Sequence, residues 1–362
     1  MSSIKIPVLI AGGGPAGMAT AIVLASRGIM CVVAEPVIEL EPKAGETIPP
    51  SARQLFAKLG IEALLGAREH LPCYGNKFVW GSLGEKDFFG GVYGHGWHLN
   101  RVHFEKQLRA LVQGVIAGGI IGYRITHCME VDDGWKVLLQ DEKNNVMELL
   151  CNFLVDATGR VSRVARILGI QRKRLDKLTG LWCVIDTVDQ IKPFYTFIEA
   201  VADGWWYAAP LQDKKLSLAF MTDSDLLHAS MVSGRGYFEA ARKLPLINPL
   251  VKDISAAQVQ PTVYPASTSY ITTRVGRNWL AAGDAAYAYD PISSYGILSS
   301  LENGFFAGHT IADSYSGDTE AIPAYDFLIS SSFSNYLKMH ALQYLQETRW
   351  RNEPFWQRRS PN

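Results

Sequence analysis

The sequence predicts an α/β fold. A three-layer, Rossmann-like dinucleotide-binding domain is assembled from separate stretches of chain, with an inserted antiparallel β-sheet and C-terminal helices. Three observations carry that expectation. The apolar run Ile4 to Ala11 leads into a glycine-rich turn, Gly12-Gly13-Gly14-Pro15-Ala16-Gly17. Two more buried-strand patterns end in acidic motifs: Phe153-Leu154-Val155 runs into Asp156-Ala157-Thr158-Gly159-Arg160, and Trp279 to Ala282 runs into Gly283-Asp284-Ala285-Ala286. Between them, Phe194 to Val201, Trp205 to Ala209 and Leu216 to Thr222 read as three antiparallel strands, with hairpin turns at Asp203-Gly204 and Asp213 to Lys215.

Each element follows from local composition. Ile6, Val8, Leu9 and Ile10 suit a parallel strand buried on both faces. Pro15 sits at the start of a helix, where its missing N–H would be unsatisfied anyway. That helix runs to about Arg27, and Gly28 stops it; Cys31 to Ala34 form the second strand, closed by Glu35. Ser51 is placed to cap a helix from about Ala52 to Leu59. Tyr74 to Gly96, rich in glycine and aromatics, reads as irregular strands and loops. A helix from about Val102 to Ala117 follows, then a strand meander over Ile120 to Leu150, and long helices over Ile297 to His309 and about Ala324 to Arg349. The resulting division is 1–70, 101–176 and 265–310 for the nucleotide-binding domain, 71–100 and 177–264 for the substrate lobe, and 311–362 for the C-terminal helices.

Composition narrows the function. Lys+Arg and Asp+Glu are both 35, so nothing marks a nucleic-acid or anionic membrane partner. The five Cys are odd in number and lack CxxC spacing, which argues against a disulfide framework and a metal site. Cys31, in an apolar run, reads as a buried thiol. No signal-peptide pattern opens the chain and no apolar run approaches the length of a membrane span, so the expectation is a soluble, cytoplasmic protein.

The glycine turn carries specific chemistry. Gly12 permits the tight turn, Gly14 lets a pyrophosphate approach the backbone, and Gly17 lets helix and strand pack closely. Pro15 and Ala16 start the helix whose N-terminal N–H groups face the phosphates. Glu35, about twenty positions on, suits the adenosine ribose hydroxyls and disfavours a 2′-phosphate.

Together, these three motifs and the stretch Tyr289-Asp290-Pro291-Ile292-Ser293-Ser294-Tyr295-Gly296-Ile297 resemble the fingerprint of FAD-dependent aromatic hydroxylases and flavin halogenases. The resemblance implies a glutathione-reductase-type FAD domain. Asp284 would bind the flavin ribityl chain beside Gly283, and Asp156 and Gly159 would border the cofactor. Arg101, in His98-Leu99-Asn100-Arg101, would help hold FAD. Pro291, Gly296 and Ile297 would bring a helix N-terminus to the flavin pyrimidine edge, where reduced flavin carries negative charge.

Further segments narrow the resemblance. Gly45-Glu46-Thr47-Ile48-Pro49-Pro50, Gly94-His95-Gly96-Trp97-His98-Leu99, Asp203-Gly204-Trp205-Trp206-Tyr207-Ala208-Ala209-Pro210-Leu211, and the tail Glu347-Thr348-Arg349-Trp350 with Phe355-Trp356 look like the tryptophan-halogenase-like branch. Within it, they are most similar to tryptophylquinone-forming flavoproteins of the LodB/QhpG type, which hydroxylate a protein-bound tryptophan.

The departures bear on the reaction. Halogenases carry WxWxIP, where this chain has Trp205, Tyr207, Ala209 and Pro210; their Phe-Ser-Thr/Ser-Gly halide loop is here Ser293-Ser294-Tyr295-Gly296. Lys77 lies near the segment of the halogenases' essential lysine, and reads either as that group or as a surface lysine. His95 and Glu46 are further acid/base candidates, each with a structural alternative. Trp97, Trp205, Trp206 and Tyr207 are candidate substrate contacts, with Trp206 on the opposite strand face from its neighbours.

The implied activity is a monooxygenase that hydroxylates an aromatic ring, an indole or tryptophan, free or presented in a peptide or protein, through a flavin C4a-hydroperoxide. A halogenase, a prenyl-lipid-type reductase and a non-catalytic FAD-binding module are the alternatives. With one dinucleotide fingerprint, used for FAD, the electrons come from NAD(P)H bound transiently or from a separate flavin reductase.

Overall fold

The computed structural model describes residues 4–36, 39–88, 90–255 and 260–360. Two large sheets dominate it. The parallel core of the first runs Val275–Gly276, Trp279–Ala281, Val146–Asp156, Ile4–Ala11, Cys31–Ala34 and Ile120–Ile121. All neighbours are parallel except the edge pair Val275–Gly276 with Trp279–Ala281. Arg124–Val131 and Gly134–Gln140 form the meander, antiparallel to each other and to Val146–Asp156. Val8, Leu9 and Ile10 are fully buried, as a continuous apolar run in a strand covered on both faces requires.

Helix Pro15–Ser26 and helix Gly296–Tyr315 pack against each other over this sheet. Their approach depends on small residues: a Cβ at Gly304 would lie 2.2 Å from the Ala16 carbonyl oxygen. The Thr20 hydroxyl donates to both the Ala16 and Gly304 carbonyls across that contact.

The second sheet runs Thr262–Pro265, Leu178–Asp186, Lys215–Asp223, Gly204–Leu211, Tyr195–Val201, Gly75–Trp80 and Ser82–Asp87. The three expected strands lie at its centre. The expectation of irregular structure over Tyr74 to Gly96 is corrected in part. Gly75–Trp80 and Ser82–Asp87 form a regular hairpin, with Gly81 at φ +69° in its turn. Parallel pairing of Gly75–Trp80 with Tyr195–Val201 supplies the long-range partner that local composition does not reveal.

This sheet has two apolar faces. One, bearing Trp206, Phe220, Leu218 and Tyr195, packs beneath the short helices of 229–251. The other, bearing Trp80, Trp205, Ala219 and Met221, meets Tyr344, Phe355 and Trp356 of the C-terminal part, with Ile292 packed against it.

The last long helix is Ala321–Leu345, which starts three residues and stops four residues before the expected bounds. Just beyond its end, the buried Glu347 carboxylate accepts bonds from the Gly81 N–H and from Arg349. Helix Arg101–Val115 begins at Asn100, whose side chain accepts the His103 N–H. No helix among the described residues is long and apolar enough to cross a membrane. All five cysteines are free and buried, and among the described residues no His/Cys/Asp/Glu group is arranged to hold a metal.

Candidate FAD cleft and its roof

The three motif turns converge at the end of the first sheet. Gly12 has φ +105°, and a Cβ there would sit 2.3 Å from the Ala157 carbonyl oxygen. Only glycine lets the first motif cross the second this closely. Around Gly14 there is open space, which is the room a pyrophosphate needs above the helix that Pro15 begins. Gly17 closes helix onto strand, its Cβ position 2.0 Å from the Gly12 oxygen. Glu35 accepts the Gly13 N–H through Oε2 at 2.6 Å and lies 3.6 Å from Arg109, whose Nε donates to the Gly13 carbonyl. The acidic residue therefore also holds the turn it serves.

Asp156 needs a correction. Its carboxylate is fully buried and accepts the Thr158 N–H, the Thr158 hydroxyl and the Ala165 N–H. It ties the second motif to helix Arg163–Ile167, with both oxygens taken by the chain's own donors. Gly159, at φ +64°, makes the adjoining turn.

At the other end, Gly283 (φ +62°) sets its backbone against Ala16, and Asp284 follows. Asp284 Oδ2 lies 3.3 Å from Arg160 Nε. Burial pushes its carboxyl up, opposed by Arg160, Arg172 and Arg101. Arg160 also donates to the Ser267 and Tyr289 carbonyls. Arg172 donates to the Asp284 and Ala285 carbonyls, and burial lowers its guanidinium to about 10. Arg101 holds the loop before Glu46 through the Gly45 carbonyl (2.6 Å) and pairs with Glu105. Its buried Nε has no hydrogen-bond partner among the described residues.

The segment from Asp290 to Ile297 completes this end. Pro291 starts a single turn, Ser294 adopts φ +49°, and exposed Gly296 opens the helix with Ile297 behind it. The first N–H groups of that helix lack intrahelical acceptors and point out of its end.

These features fit FAD. The orphan Arg101 Nε, the open space at Gly14 and the unsatisfied helix N-terminus are a donor, a phosphate cradle and an anion site, set out along one line of motifs. Gly12, Gly14, Pro15, Ala16, Gly17 and Glu35 would hold the adenosine diphosphate; Arg101, Gly159, Gly283, Asp284, Pro291, Gly296 and Ile297 would hold the flavin half.

The roof is a polar network set into the inner face of the second sheet. Glu46 is buried and bears no ion pair among the described residues. The Ser217 hydroxyl (2.7 Å) and the Trp182 indole N–H (3.2 Å) donate to Oε1, and the Tyr207 hydroxyl (3.2 Å) to Oε2. Tyr207 Oη is 2.6 Å from Thr47 Oγ1, itself 3.3 Å from Thr196 Oγ1, which is 2.9 Å from His98 Nε2. Burial pushes the Glu46 carboxyl up, more strongly than its hydrogen bonds and Arg101 lower it, and pushes the His98 imidazole down to about 3.

The other candidates separate by strand alternation. Lys77 points away from this roof: it shares a face with Tyr195, over whose ring its ammonium sits, and pairs with Glu85 at 3.3 Å. Trp206 faces the same outer side, packed on Phe220 and Tyr237. Trp205 faces inward but is enclosed, its N–H donated to Tyr344. Trp97 lies in the core under the Arg53 guanidinium. Each of these three indoles is buried among its neighbours, and only Tyr207 of the four joins the roof network. His95 Nδ1 lies 2.7 Å from the Gly96 carbonyl and its ring stands edge-on to Trp97, outside that network.

Sequence reasoning passed over Trp182, Ser217, Thr196, Arg172, His340 and Tyr344. Asp290 lies inside the third motif stretch, with no role assigned by the sequence alone. Its carboxylate is fully buried and accepts the Ile292 N–H, His340 Nε2 (3.0 Å) and the Tyr344 hydroxyl (2.8 Å). An Asp-Pro turn opposite a helix with aromatic and His residues spaced four apart is the one signal that could have pointed there.

The fold and these turns are those of an FAD-dependent oxidoreductase. The chain belongs to the FAD binding domain family, matched over residues 5–326. LodB of Marinomonas mediterranea, named as an FAD-dependent oxidoreductase, is 27% identical over 361 residues, covering 97% of this chain and 96% of its own. Tryptophan 2-halogenase of Chondromyces crocatus is 25% identical over 348 residues, 90% of this chain and 64% of its own. Among solved structures, the peptidyl tryptophan dihydroxylase QhpG, essential for tryptophylquinone cofactor biogenesis, superposes with a TM-score of 0.80 at 23% identity, over 98% of this chain and 78% of its own.

Proposed function

We propose that this enzyme hydroxylates an electron-rich aromatic ring, the indole of a tryptophan presented in a peptide or protein. Residues 71–100 and 177–264 form the substrate lobe in this reading. The observation that carries it is the direction of Lys77. A halogenase-type role needs that lysine at the reaction cleft, and here its ammonium lies with Glu85 and Tyr195 on the sheet's outer face. Similarity to LodB over nearly the whole of both chains, and the fold shared with a peptidyl tryptophan dihydroxylase, support the same substrate class.

Bound FAD would supply oxygen activation after reduction by NAD(P)H or by a separate flavin reductase. The chain's own residues supply the rest. The helix starting at Gly296 stabilises negative charge on the cofactor. Asp284 and Arg101 orient it. Tyr207 and Trp182 would border the ring, with Glu46 behind them as the buried carboxyl that exchanges a proton.

The test uses purified protein with NADH or a flavin reductase, offered tryptophan and a tryptophan-containing peptide. The expected product is a peptide heavier by one or two oxygen atoms. Chlorine in the product would establish the halogenase alternative, which the match to tryptophan 2-halogenase favours. Substrate reduction without oxygen uptake would establish a prenyl-lipid-type reductase, and bound FAD that no substrate reoxidises faster would leave a binding module.

A further inference from the structure

One face of the helix Ala321–Leu345 touches the flavin-facing loop at three successive turns. Tyr336 accepts the Asp290 backbone N–H at 2.8 Å. One turn on, His340 Nε2 bonds Asp290 Oδ2 at 3.0 Å, and one turn further the Tyr344 hydroxyl donates to the same oxygen at 2.8 Å. The spacing of four residues puts all three on a single stripe. The other carboxylate oxygen accepts the N–H of Ile292, inside the loop itself.

The stripe also reaches the second sheet. Tyr344 Oη accepts the Trp205 indole N–H at 3.0 Å. The Arg359 guanidinium stands over the Tyr344 ring and pairs with Asp223 of the same sheet. Asp290 is fully buried, and its side chain is bound only through these groups among the described residues. A buried carboxylate that loses a donor is costly to keep in place, so the loop's position depends on the helix.

We propose that His340 and Tyr344 are positioning residues for the flavin. They hold Asp290, and through it residues 291–297, so that the helix N-terminus at Gly296 is aimed at the pyrimidine end of the cofactor. The flavin's readiness to accept electrons is then set in part from the C-terminal helix and from Trp205. The inference rests on the FAD site and not on the identity of the substrate.

The charged and titratable groups around the Asp290 carboxylate are few. His340, Tyr344 and Tyr336 come from the helix, Asp176 from the chain entering the second sheet, Arg359 from the C-terminal tail, and Tyr264 from the sheet's edge strand. Of these, only His340 and Tyr344 bond the carboxylate itself.

The experiment measures the midpoint potential of bound FAD against pH, with FAD affinity by fluorescence. Tyr344→Phe removes one oxygen atom, and His340→Leu removes the imidazole with both its nitrogens. Both are expected to hold FAD but to make the flavin harder to reduce. His340→Gln retains an N–H donor; it is expected to restore most of the potential. Should His340→Leu fail to fold, Tyr344→Phe and Trp205→Phe read the same coupling through smaller changes. FAD-loaded Tyr344→Phe and His340→Leu with the wild-type potential at every pH would overturn the proposal. Because no substrate is added, that result is independent of whether tryptophan is hydroxylated.

Discussion

The two sheets of this molecule use their residues in opposite ways. Around the first sheet, the candidate site is made by backbone: glycine turns, helix ends and N–H groups, each close in sequence to the strand that positions it. Around the second, it is made by side chains gathered from distant segments. Glu46, Ser217, Tyr207 and Thr196 form one bonded network although they lie up to 171 positions apart. A backbone site is written in consecutive residues, whereas a side-chain site depends on which face of which strand turns inward.

The sharpest way to break this contrast is Trp206→Ala. If the outer face of the second sheet is packing alone, the indole's loss leaves a cavity against Phe220 and Tyr237. Unfolding should then be easier by about 3–5 kcal/mol, with FAD affinity and product identity unchanged. A changed product at normal stability would move the substrate to that face.

Next in size is Asp284→Ala. Loss of a charge-assisted contact worth about 1.5–3 kcal/mol predicts FAD binding weaker by roughly 10- to 100-fold. Titration followed by flavin fluorescence measures it, and undiminished affinity would remove Asp284 from the site.

Acid should strike the roof. His98, buried and held down to about 3, is neutral in the folded protein. Once unfolded it titrates at its ordinary value of about 6.5. The unfolded state therefore binds more protons between these values, and stability falls as pH drops through that window. His70, lowered to about 4, adds to the same slope. In His98→Asn, denaturant midpoints should depend less on pH between about 6.5 and 4; an unchanged slope would mean that His98 is protonated in the fold.

The smallest effect is expected at Lys77→Met. Its pair with Glu85 is half-exposed on both sides, so stability should move by less than about 1 kcal/mol. Turnover should hold. A collapse in turnover with normal folding would return this lysine to the cleft.

Much of the geometry of the candidate FAD site was legible because its physics is local. Gly12, Gly14 and Gly17 follow a buried strand and open a helix, and those three facts are adjacent in the chain. Asp156 misled because an acidic residue at a strand end serves equally to cap the next turn, as it does for Thr158 and Ala165. The indoles misled for a different reason: Trp97, Trp205 and Trp206 are large enough to be either cavity wall or core, and only the packing of distant segments decides. Trp182 was passed over because its partners, Glu46 and Ser217, are remote in sequence. The hairpin of Gly75–Trp80 and Ser82–Asp87 was blurred because its sheet neighbour lies beyond residue 190.

The five cysteines have a consequence for durability. Flavins that meet oxygen shed some hydrogen peroxide, and peroxide oxidises thiolates, not thiols. Burial raises the thiols of Cys31, Cys151 and Cys183 to about 12 and that of Cys128 to about 11, and Cys73 is also pushed up. Near neutral pH almost none of this sulfur is in the reactive form, so the enzyme should tolerate its own leakage. Intact mass after peroxide exposure should show the sulfurs unmodified for as long as the chain stays folded, and sulfinic or sulfonic acids only after it opens.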